Sequence, residues 1–331
     1  MNICRSIAKL FVLSSCLYIL AGAPLQAQEV PLPVRDPAKL QLSSRSAVLV
    51  DLTNDKVVYS RNASRVMPIA SVTKLMVAVV VLEAKQPLGE VLTVTIRENK
   101  EMRGVYSRVR LGSQLSRGEL LHIALMSSEN RATSTLAHNY PGGYSAFIAA
   151  MNAKAKALGM SGTRYVEPTG LSQFNVSTAN DLVRLLKETR KYPLMTRYST
   201  TSSKVVSFVK PRYSLGFRNT NNLVRKPDWS IQLTKTGFTD EAGHCLVMLT
   251  RVNSRPMALV LLDAFGRYTH MADATRMRRW LETGYSGKVP AAAKNYRKYE
   301  DSKLDQATVQ NSSPTSVPTS VPTNVKTSAK P

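Results

Sequence analysis

The chain has 331 residues, 43% of them hydrophobic, three cysteines and a formal net charge of +23. Cys4 and Cys16 lie in an N-terminal leader, so Cys245 would remain alone after processing, which excludes an internal disulfide. The charge has two interpretations, a polyanionic partner or a merely solvated basic surface. The chain has no zinc-finger, basic-zipper or RNA-binding motif and its basic residues are mostly dispersed, which argues against nucleic acid.

The N-terminus has the pattern of a secretory signal peptide. Arg5 and Lys9 precede an apolar segment, 10–23, which is shorter than the roughly 20 residues of a membrane span. We therefore predict that residues 1–27 are a signal peptide and that the protein is exported to the periplasm. A lipoprotein, modified at Cys16, is the weaker alternative, because the apolar stretch continues past this cysteine.

The next segments predict a hairpin and a buried helix. Residues 28–40 form a Pro-rich run-in, and two short apolar runs, 46–52 and 57–60, flank the turn sequence 53–56. A nearly continuous apolar run, 68–82, follows and predicts a helix that is buried on most faces.

The middle of the chain favours helices and the last third favours strands. Four helices are predicted at 117–126 behind a Ser116 capping box, at 131–141, at 146–158 and from 177–181 onward. After a β-rich segment near 204, strands are predicted at 230–237, 244–252 and 257–264, and a basic helix at 270–283.

Strands at both ends of the chain with helices between them predict a mixed α/β fold of the α+β kind. One antiparallel sheet would be assembled from the N- and C-terminal segments, with flanking helices and an inserted helical subdomain, over residues 41–288. Residues 289–331 are rich in Ser, Thr and Pro, with a repeat at 315–323, and predict a disordered tail.

Lys74 is the only ionisable residue in the apolar run 68–82. Burying an ammonium is costly, and a lysine that stays buried and neutral is a base. Ser71 lies three residues earlier on the same helix face, near a helix start whose N–H groups favour an oxyanion. The pair predicts a lysine-activated serine nucleophile. A core helix with a lysine that reaches solvent is the alternative, since S-x-x-K also begins at Ser6 and Ser207.

Two further motifs accompany this pair: Ser128-Glu129-Asn130 and Lys235-Thr236-Gly237. S-x-x-K, S-D-N and K-T-G together are the signature of penicillin-binding proteins and class A β-lactamases. Over residues 40–285 the chain resembles the low-molecular-weight penicillin-binding proteins, in particular D-alanyl-D-alanine endopeptidases of the D-Ala-D-Ala carboxypeptidase family. The segments that carry this resemblance are 105–111, 124–132, 140–144, 166–172 and 232–239.

The resemblance implies a DD-peptidase/β-lactamase-like fold and a catalytic set of three residues. Ser71 would attack the substrate carbonyl, Lys74 would accept its proton, and Ser128 would relay a proton to the leaving amine. Glu129 departs from the Asp of S-D-N, and peptidases of this type vary at that position.

Five substrate-binding residues are also implied. Asn130 would hold substrate amide groups, while Lys235 and Thr236 would bind a carboxylate. The charge of Lys235 would also help to keep Lys74 neutral. Gly237 would let the strand approach the substrate closely, and the backbone N–H of Phe238 would share the oxyanion hole with that of Ser71.

The function implied is hydrolysis of D-alanyl cross-links in peptidoglycan through an acyl-enzyme on Ser71, without cofactor or metal. β-Lactam antibiotics would be covalent inhibitors of this serine DD-peptidase. Removal of a terminal D-alanine is the nearest alternative, because the three motifs serve both reactions. The stretch after Tyr285 lacks the apolar periodicity of an amphipathic membrane anchor, so we expect no stable membrane insertion and favour the endopeptidase.

Three other functions compete with this interpretation. A class A β-lactamase would need a deacylating glutamate, and Glu167 lies at a suitable distance along the chain, but its context Glu-Pro-Thr-Gly-Leu differs and we expect it to shape a loop. A non-catalytic wall-binding protein would not need a base beside a serine. A metallopeptidase lacks support, because the four histidines show no ligand spacing.

Overall fold

The computed structural model describes residues 32–312 and, within them, the side chains of residues 32–303. The predicted signal peptide, 1–27, and the repeat at 315–323 lie outside the described residues. Residues 32–34 end the first of two compact units and have no regular secondary structure, and all elements below belong to the second unit, which begins at Arg35.

The second unit begins with a hairpin and a buried helix, as predicted. After a 3-10 turn at Pro37–Lys39, the elements are β1 (Ser46–Asp51), β2 (Lys56–Arg61), β3 (Met67–Pro68), a 3-10 turn at Ala70–Thr73 and α1 (Lys74–Glu83). The helix predicted to start near Ser71 therefore opens as a 3-10 turn that contains the serine, and its α-helical part starts at Lys74.

The middle of the chain is helical, as predicted. Its elements are β4 (Val91–Thr93), a 3-10 turn (Lys100–Met102), β5 (Gln114–Ser116), α2 (Arg117–Met126), α3 (Asn130–His138), α4 (Gly143–Ala157), β6 (Val176–Ser177), α5 (Ala179–Thr189) and α6 (Pro193–Thr200). The predicted cap of α2 is present, because Ser116 Oγ accepts from Glu119 N at 3.3 Å. Helix α6 has no counterpart among the predicted elements, because its 8 residues are too few to show an apolar period.

The last third contains the long strands. Its elements are β7 (Ser203–Phe208), β8 (Tyr213–Arg218), a 3-10 turn (Asn222–Arg225), β9 (Ser230–Thr239), β10 (Gly243–Val252), β11 (Arg255–Ala264), α7 (Thr269–Thr283) and α8 (Ala291–Ser312). Strands β9, β10 and β11 and helix α7 agree with the predicted elements. Strands β7 and β8 pair with each other as a separate two-stranded sheet.

A five-stranded antiparallel sheet joins the two ends of the unit, as predicted. Its strand order is β2-β1-β11-β10-β9, and Val48 of β1 lies opposite Val260 of β11. Strand β9 is at the edge of this sheet, and the 3-10 turn Ala70–Thr73 and helix α6 pack against it. This packing brings the serine of the first motif beside the strand that carries the third.

Helix α1 runs through the core. Every residue from Lys74 to Val81 is buried, because α1 packs against α2, α3, α4 and α5. Val260 and Leu262 of β11 join this core, whereas helix α7 packs on β10 and β11. Because helices cover this sheet on both faces, its strands are continuous apolar runs in the sequence. Within residues 32–312, no helix is long and apolar enough to cross a lipid bilayer.

Helix α8 corrects part of the prediction for the C-terminal tail. The prediction of disorder from residue 289 onward is wrong for residues 291–312, which are helical. The Ala-rich start favours a helix, and the later residues carry polar contacts to the body of the protein. The Tyr296 hydroxyl donates to Asp263 Oδ1 at 2.9 Å, and Asp301 forms ion pairs with two arginines near the sheet. Because polar side chains make these contacts, the sequence of α8 shows no apolar periodicity from which the helix could be predicted.

Replacing Tyr296 by Phe tests this attachment of α8. Asp263 is only 3% exposed, so removing one donor to its carboxylate should lower the free energy of unfolding by about 1 to 2 kcal/mol, measured by urea denaturation. The control is Tyr285→Phe, because Tyr285 is 51% exposed and its substitution should change stability by less than about 0.5 kcal/mol. Equal stability of the two variants would contradict the packing of α8.

Candidate active site

The amine of Lys74 lies at the centre of the site, within hydrogen-bonding distance of three oxygens. Its Nζ is 2.8 Å from Ser71 Oγ, 2.8 Å from Asn130 Oδ1 and 2.5 Å from the backbone oxygen of Thr169. Ser71 Oγ is itself 3.3 Å from the same Thr169 oxygen. The Lys74 side chain is buried without access to solvent. The structure therefore brings together the serine and lysine that the sequence paired.

Burial lowers the pKa of Lys74 from its ordinary value of 10.5 to about 7, although the nearby carboxylates of Glu167 and Glu129 raise it. Near neutral pH a large fraction of the amine is thus unprotonated and can accept the proton of Ser71. The expected contribution of the Lys235 charge to the lowered pKa of Lys74 is not among its causes, of which desolvation is the largest. Repulsion between the two lysines instead lowers the pKa of Lys235, in addition to the larger effect of its burial.

The second motif forms the turn between α2 and α3. Ser128 has a φ of +63°, in the left-handed region that non-glycine residues rarely adopt. Glu129 caps α3, because its Oε2 accepts from Ala132 N at 2.6 Å, while its Oε1 accepts from Ser107 Oγ at 2.5 Å. The carboxylate at this middle position therefore holds a helix end and a neighbouring loop. Asn130 begins α3 and directs its Oδ1 to Lys74.

The third motif lies on the edge strand β9. Lys235 is 1% exposed, and its Nζ donates to the Thr236 backbone oxygen at 2.6 Å. Thr236 Oγ1 donates to Thr220 Oγ1 at 2.7 Å. Phe238 is 55% exposed and stacks on His244 with ring centroids 4.2 Å apart. Residues 233–237 of β9 are thus buried, and Phe238 is the exposed side chain that follows them.

Two glycines pack against the backbone of residues 69–71, which includes Ser71. A Cβ on Gly237 would lie 3.0 Å from Ser71 N and 2.9 Å from the Ile69 backbone oxygen. A Cβ on Gly170 would lie 2.8 Å from Ser71 N and would overlap the carbonyl of Ala70, which itself has a φ of +44°. The close approach expected of Gly237 is therefore made to the turn around Ser71.

Glu167 organises the loop that contains Gly170. Its Oε2 accepts two hydrogen bonds from Thr169, one from the backbone N at 2.6 Å and one from Oγ1. Its Oε1 accepts from Gly170 N at 2.5 Å, Ser172 N at 3.4 Å and Asn175 Nδ2 at 3.0 Å. A buried carboxylate surrounded by donors fixes the backbone around it. These contacts place the Thr169 carbonyl on Lys74 and explain the loop-shaping role that the sequence suggested for Glu167.

These elements enclose a cleft of about 440 Å³. Six of the eight predicted site residues line it: Ser71, Ser128, Asn130, Thr236, Gly237 and Phe238. Lys74 and Lys235 are buried beneath the surface. Two residues of the site were not predicted from the sequence. Thr169 contacts Lys74 through its backbone oxygen, and Arg267 is a cation that lines the cleft but lies in no recognised motif. Among residues 32–303, no cluster of three or more His, Cys, Asp or Glu side chains could hold a metal ion.

Residues 33–266 match the family model of D-alanyl-D-alanine carboxypeptidases, peptidase family S11. The chain therefore belongs to this family, which confirms the predicted class of serine-type D-Ala-D-Ala peptidase. It is 63% identical to a D-alanyl-D-alanine endopeptidase of Pseudomonas aeruginosa, over 80% of this chain and 86% of that protein. A D-alanyl-D-alanine endopeptidase of Escherichia coli is 58% identical over 82% of this chain and 88% of its own length.

Solved structures support the predicted fold. The DD-transpeptidase of Streptomyces K15 superimposes with a TM-score of 0.68 over 74% of this chain and 98% of its own, at 21% identity. Penicillin-binding protein D2 of Listeria monocytogenes, in its cefotaxime-bound form, gives a TM-score of 0.63 at 29% identity, over 74% of this chain and 98% of its own. The predicted DD-peptidase/β-lactamase-like fold is confirmed.

Gly170→Ala tests whether the loop must touch the turn around Ser71. The added methyl group would displace the Ala70–Ser71 peptide, so acylation by penicillin should fall by about a hundredfold or more, measured with a fluorescent penicillin. Gly112→Ala is the matched control, because Gly112 has a similar φ of +78° but open space around it. Equal acylation rates in the two variants would show that the contact has no role.

The pH dependence of acylation tests the state of Lys74. Only the neutral amine can take the proton of Ser71, so the acylation rate constant should rise with pH and level off above a midpoint of about 7. Lys74→Arg should lose acylation because arginine does not deprotonate in proteins, and circular dichroism and the urea denaturation midpoint of the variant show whether the fold is retained. A rate that is independent of pH between 5 and 9, or near-normal acylation of the arginine variant, would exclude Lys74 as the base.

Proposed function

We propose that the chain is a periplasmic serine DD-endopeptidase that hydrolyses D-alanyl cross-links of peptidoglycan through an acyl-enzyme on Ser71. The observation that carries this proposal is the 2.8 Å contact between Lys74 Nζ and Ser71 Oγ, at the floor of a cleft edged by β9. The choice of a cross-link as substrate rests on the two relatives with 63% and 58% identity, both named D-alanyl-D-alanine endopeptidase.

In the first step, Ser71 Oγ attacks the carbonyl of the D-alanine that precedes the scissile bond. The proton of the hydroxyl passes to Lys74 Nζ, which Asn130 and Thr169 hold in place. The carbonyl oxygen becomes negative and accepts from the backbone N–H groups of Ser71 and Phe238. The contact of Gly237 with Ser71 keeps these two peptide groups close together.

In the second step, the tetrahedral intermediate collapses and the bond to the leaving nitrogen breaks. Ser128 relays the proton held by Lys74 to that nitrogen, so the second peptide stem leaves as a neutral amine and Lys74 is neutral again. Thr236, which lines the cleft, binds the carboxylate beside the leaving nitrogen, with Lys235 buried behind it. Water then attacks the ester carbonyl and gives a proton to Lys74 Nζ. The bond between Ser71 Oγ and the carbonyl carbon breaks, Lys74 returns the proton to Oγ, and the first stem leaves with a free carboxyl group.

The location follows from the N-terminal leader and the charge. A leader with the pattern of residues 1–27 directs export, and peptidoglycan is found outside the cytoplasmic membrane. The formal charge of +23 becomes +21 once Arg5 and Lys9 leave with the leader, and it attracts the protein to acidic wall polymers without fixing it to them. These features support action on the wall from solution in the periplasm.

The β-lactamase alternative is disfavoured by Glu167. A deacylating glutamate needs a free oxygen to activate water, whereas both oxygens of Glu167 accept hydrogen bonds from the loop around it. Glu167 is also only 1% exposed. An acyl-enzyme formed with penicillin is therefore expected to persist.

Mass spectrometry after exposure to penicillin tests the acyl-enzyme. The purified protein should gain the mass of one penicilloyl group on the peptide containing Ser71, and Ser71→Ala should abolish the adduct. Rapid turnover of penicillin without an adduct would favour the β-lactamase, and labelling of another residue would overturn the assignment of the nucleophile.

Separate incubation with two purified muropeptides tests the choice of bond. Cross-linked dimers should be converted to monomers, and monomeric pentapeptides should release D-alanine at least about tenfold more slowly. Loss of D-alanine from pentapeptides while dimers remain intact would show that the enzyme is a carboxypeptidase.

A further inference from the structure

A second groove, of about 980 Å³, opens beside the cleft. The two meet at Ser128 and Asn130, which line both. The groove runs between the segment 106–109 and the hairpin of β7 and β8, whereas Ser71 lines only the cleft. A molecule that extends past Ser128, away from Ser71, therefore enters this groove.

The lining of the groove is predominantly cationic. Arg108, Lys204 and Arg218 line it, against a single carboxylate, that of Glu129. Both oxygens of Glu129 already accept hydrogen bonds from Ser107 and from the first turn of α3. Lys204 pairs with a glutamate outside the groove at 3.1 Å, while the two arginines are exposed. The groove is thus suited to a ligand with free carboxylates.

The arginines are placed where a bound peptide can reach them. Arg108 Nη2 donates to the Gly216 backbone oxygen at 2.7 Å, and its guanidinium lies 5.3 Å from the centre of the Phe217 ring. These contacts fix the side chain against β8, on the far wall of the groove. Tyr106 is 85% exposed and Val205 is 71% exposed, which gives the ligand apolar contacts beside the charges.

We propose that this groove binds the peptide stem that leaves during cross-link cleavage, through the carboxylates of that stem other than the one beside the leaving nitrogen. The inference rests on the proposed function and deepens it. The donor stem stays bonded to Ser71 in the cleft, whereas the nitrogen of the other stem lies at Ser128, where the groove begins. The leaving half of a cross-linked substrate is an anionic peptide, and the cationic wall lies along its path. A terminal D-alanine carries only the carboxylate beside the scissile nitrogen, so it offers the groove no further charge.

The double substitution Arg108→Gln and Arg218→Gln tests the subsite in the full mature protein. Cleavage of cross-linked dimers should fall by about tenfold or more in kcat/KM, the loss expected for one charge-assisted hydrogen bond, chiefly through KM. Acylation by penicillin, which has no second stem, reports on Ser71 alone, so the loss for dimers should exceed the loss for penicillin by that factor.

Two comparisons make the test specific. The matched control is Arg190→Gln with Arg251→Gln, since both arginines are exposed and Arg251, like Arg108, donates to a backbone oxygen. This control should cleave dimers at the wild-type rate. Dimers amidated at the acceptor-stem carboxylates other than the one beside the scissile nitrogen should lose the same factor with the wild-type protein. They should show little further loss with the groove variant.

The outcomes separate the subsite from the proposed function. If the wild-type protein cuts dimers and the groove variant cuts them equally well, the subsite is overturned and the endopeptidase stands. Equal losses for dimers and penicillin would show that the arginines act through the catalytic serine, which also overturns the subsite. A wild-type protein that forms the penicillin adduct but leaves dimers intact would overturn the endopeptidase and the subsite together.

Discussion

The burial of one lysine amine beside a serine hydroxyl is the constraint on which the site depends. An ammonium at this position would lose its hydration, so the protein shifts the pKa of Lys74 to about 7 rather than excluding the residue. Three oxygens around Nζ, from Ser71, Asn130 and Thr169, fix the amine in place. A base of this pKa suits a reaction near neutral pH, because it accepts a proton and can later return it.

The remainder of the fold holds these oxygens together from distant parts of the chain. The edge strand β9 presses Gly237 onto the backbone of Ser71, and the loop organised by Glu167 presses Gly170 onto the same backbone from another direction. Ser128 adopts its left-handed conformation at the turn between two helices. Backbone strain of this kind persists only where the surrounding structure determines it, and it is often found at functional sites.

Much of this arrangement can be predicted from the sequence, because side-chain motifs and apolar periods are local signals. The serine and lysine pair, the hairpin and the long strands of the sheet all follow from residues close to one another in the chain. The contribution of Thr169 cannot be found in this way, because a backbone oxygen leaves no mark on residue identity. The contact of Gly170 depends on how two remote segments cross. Helix α8 was mistaken for disorder because polar contacts, such as that of Tyr296, hold it to the body.

The mechanism requires that Lys74 is neutral near pH 7, and an NMR titration of its side chain measures this protonation state. Protein labelled with ¹³C at the lysine Cε positions would be titrated between pH 5 and 11, and the Lys74 signal assigned by its absence in Lys74→Arg. We expect one lysine with a midpoint near 7, well below the others. A Lys74 midpoint near the ordinary value of about 10.5 would show that the amine is charged at neutral pH and would contradict the mechanism.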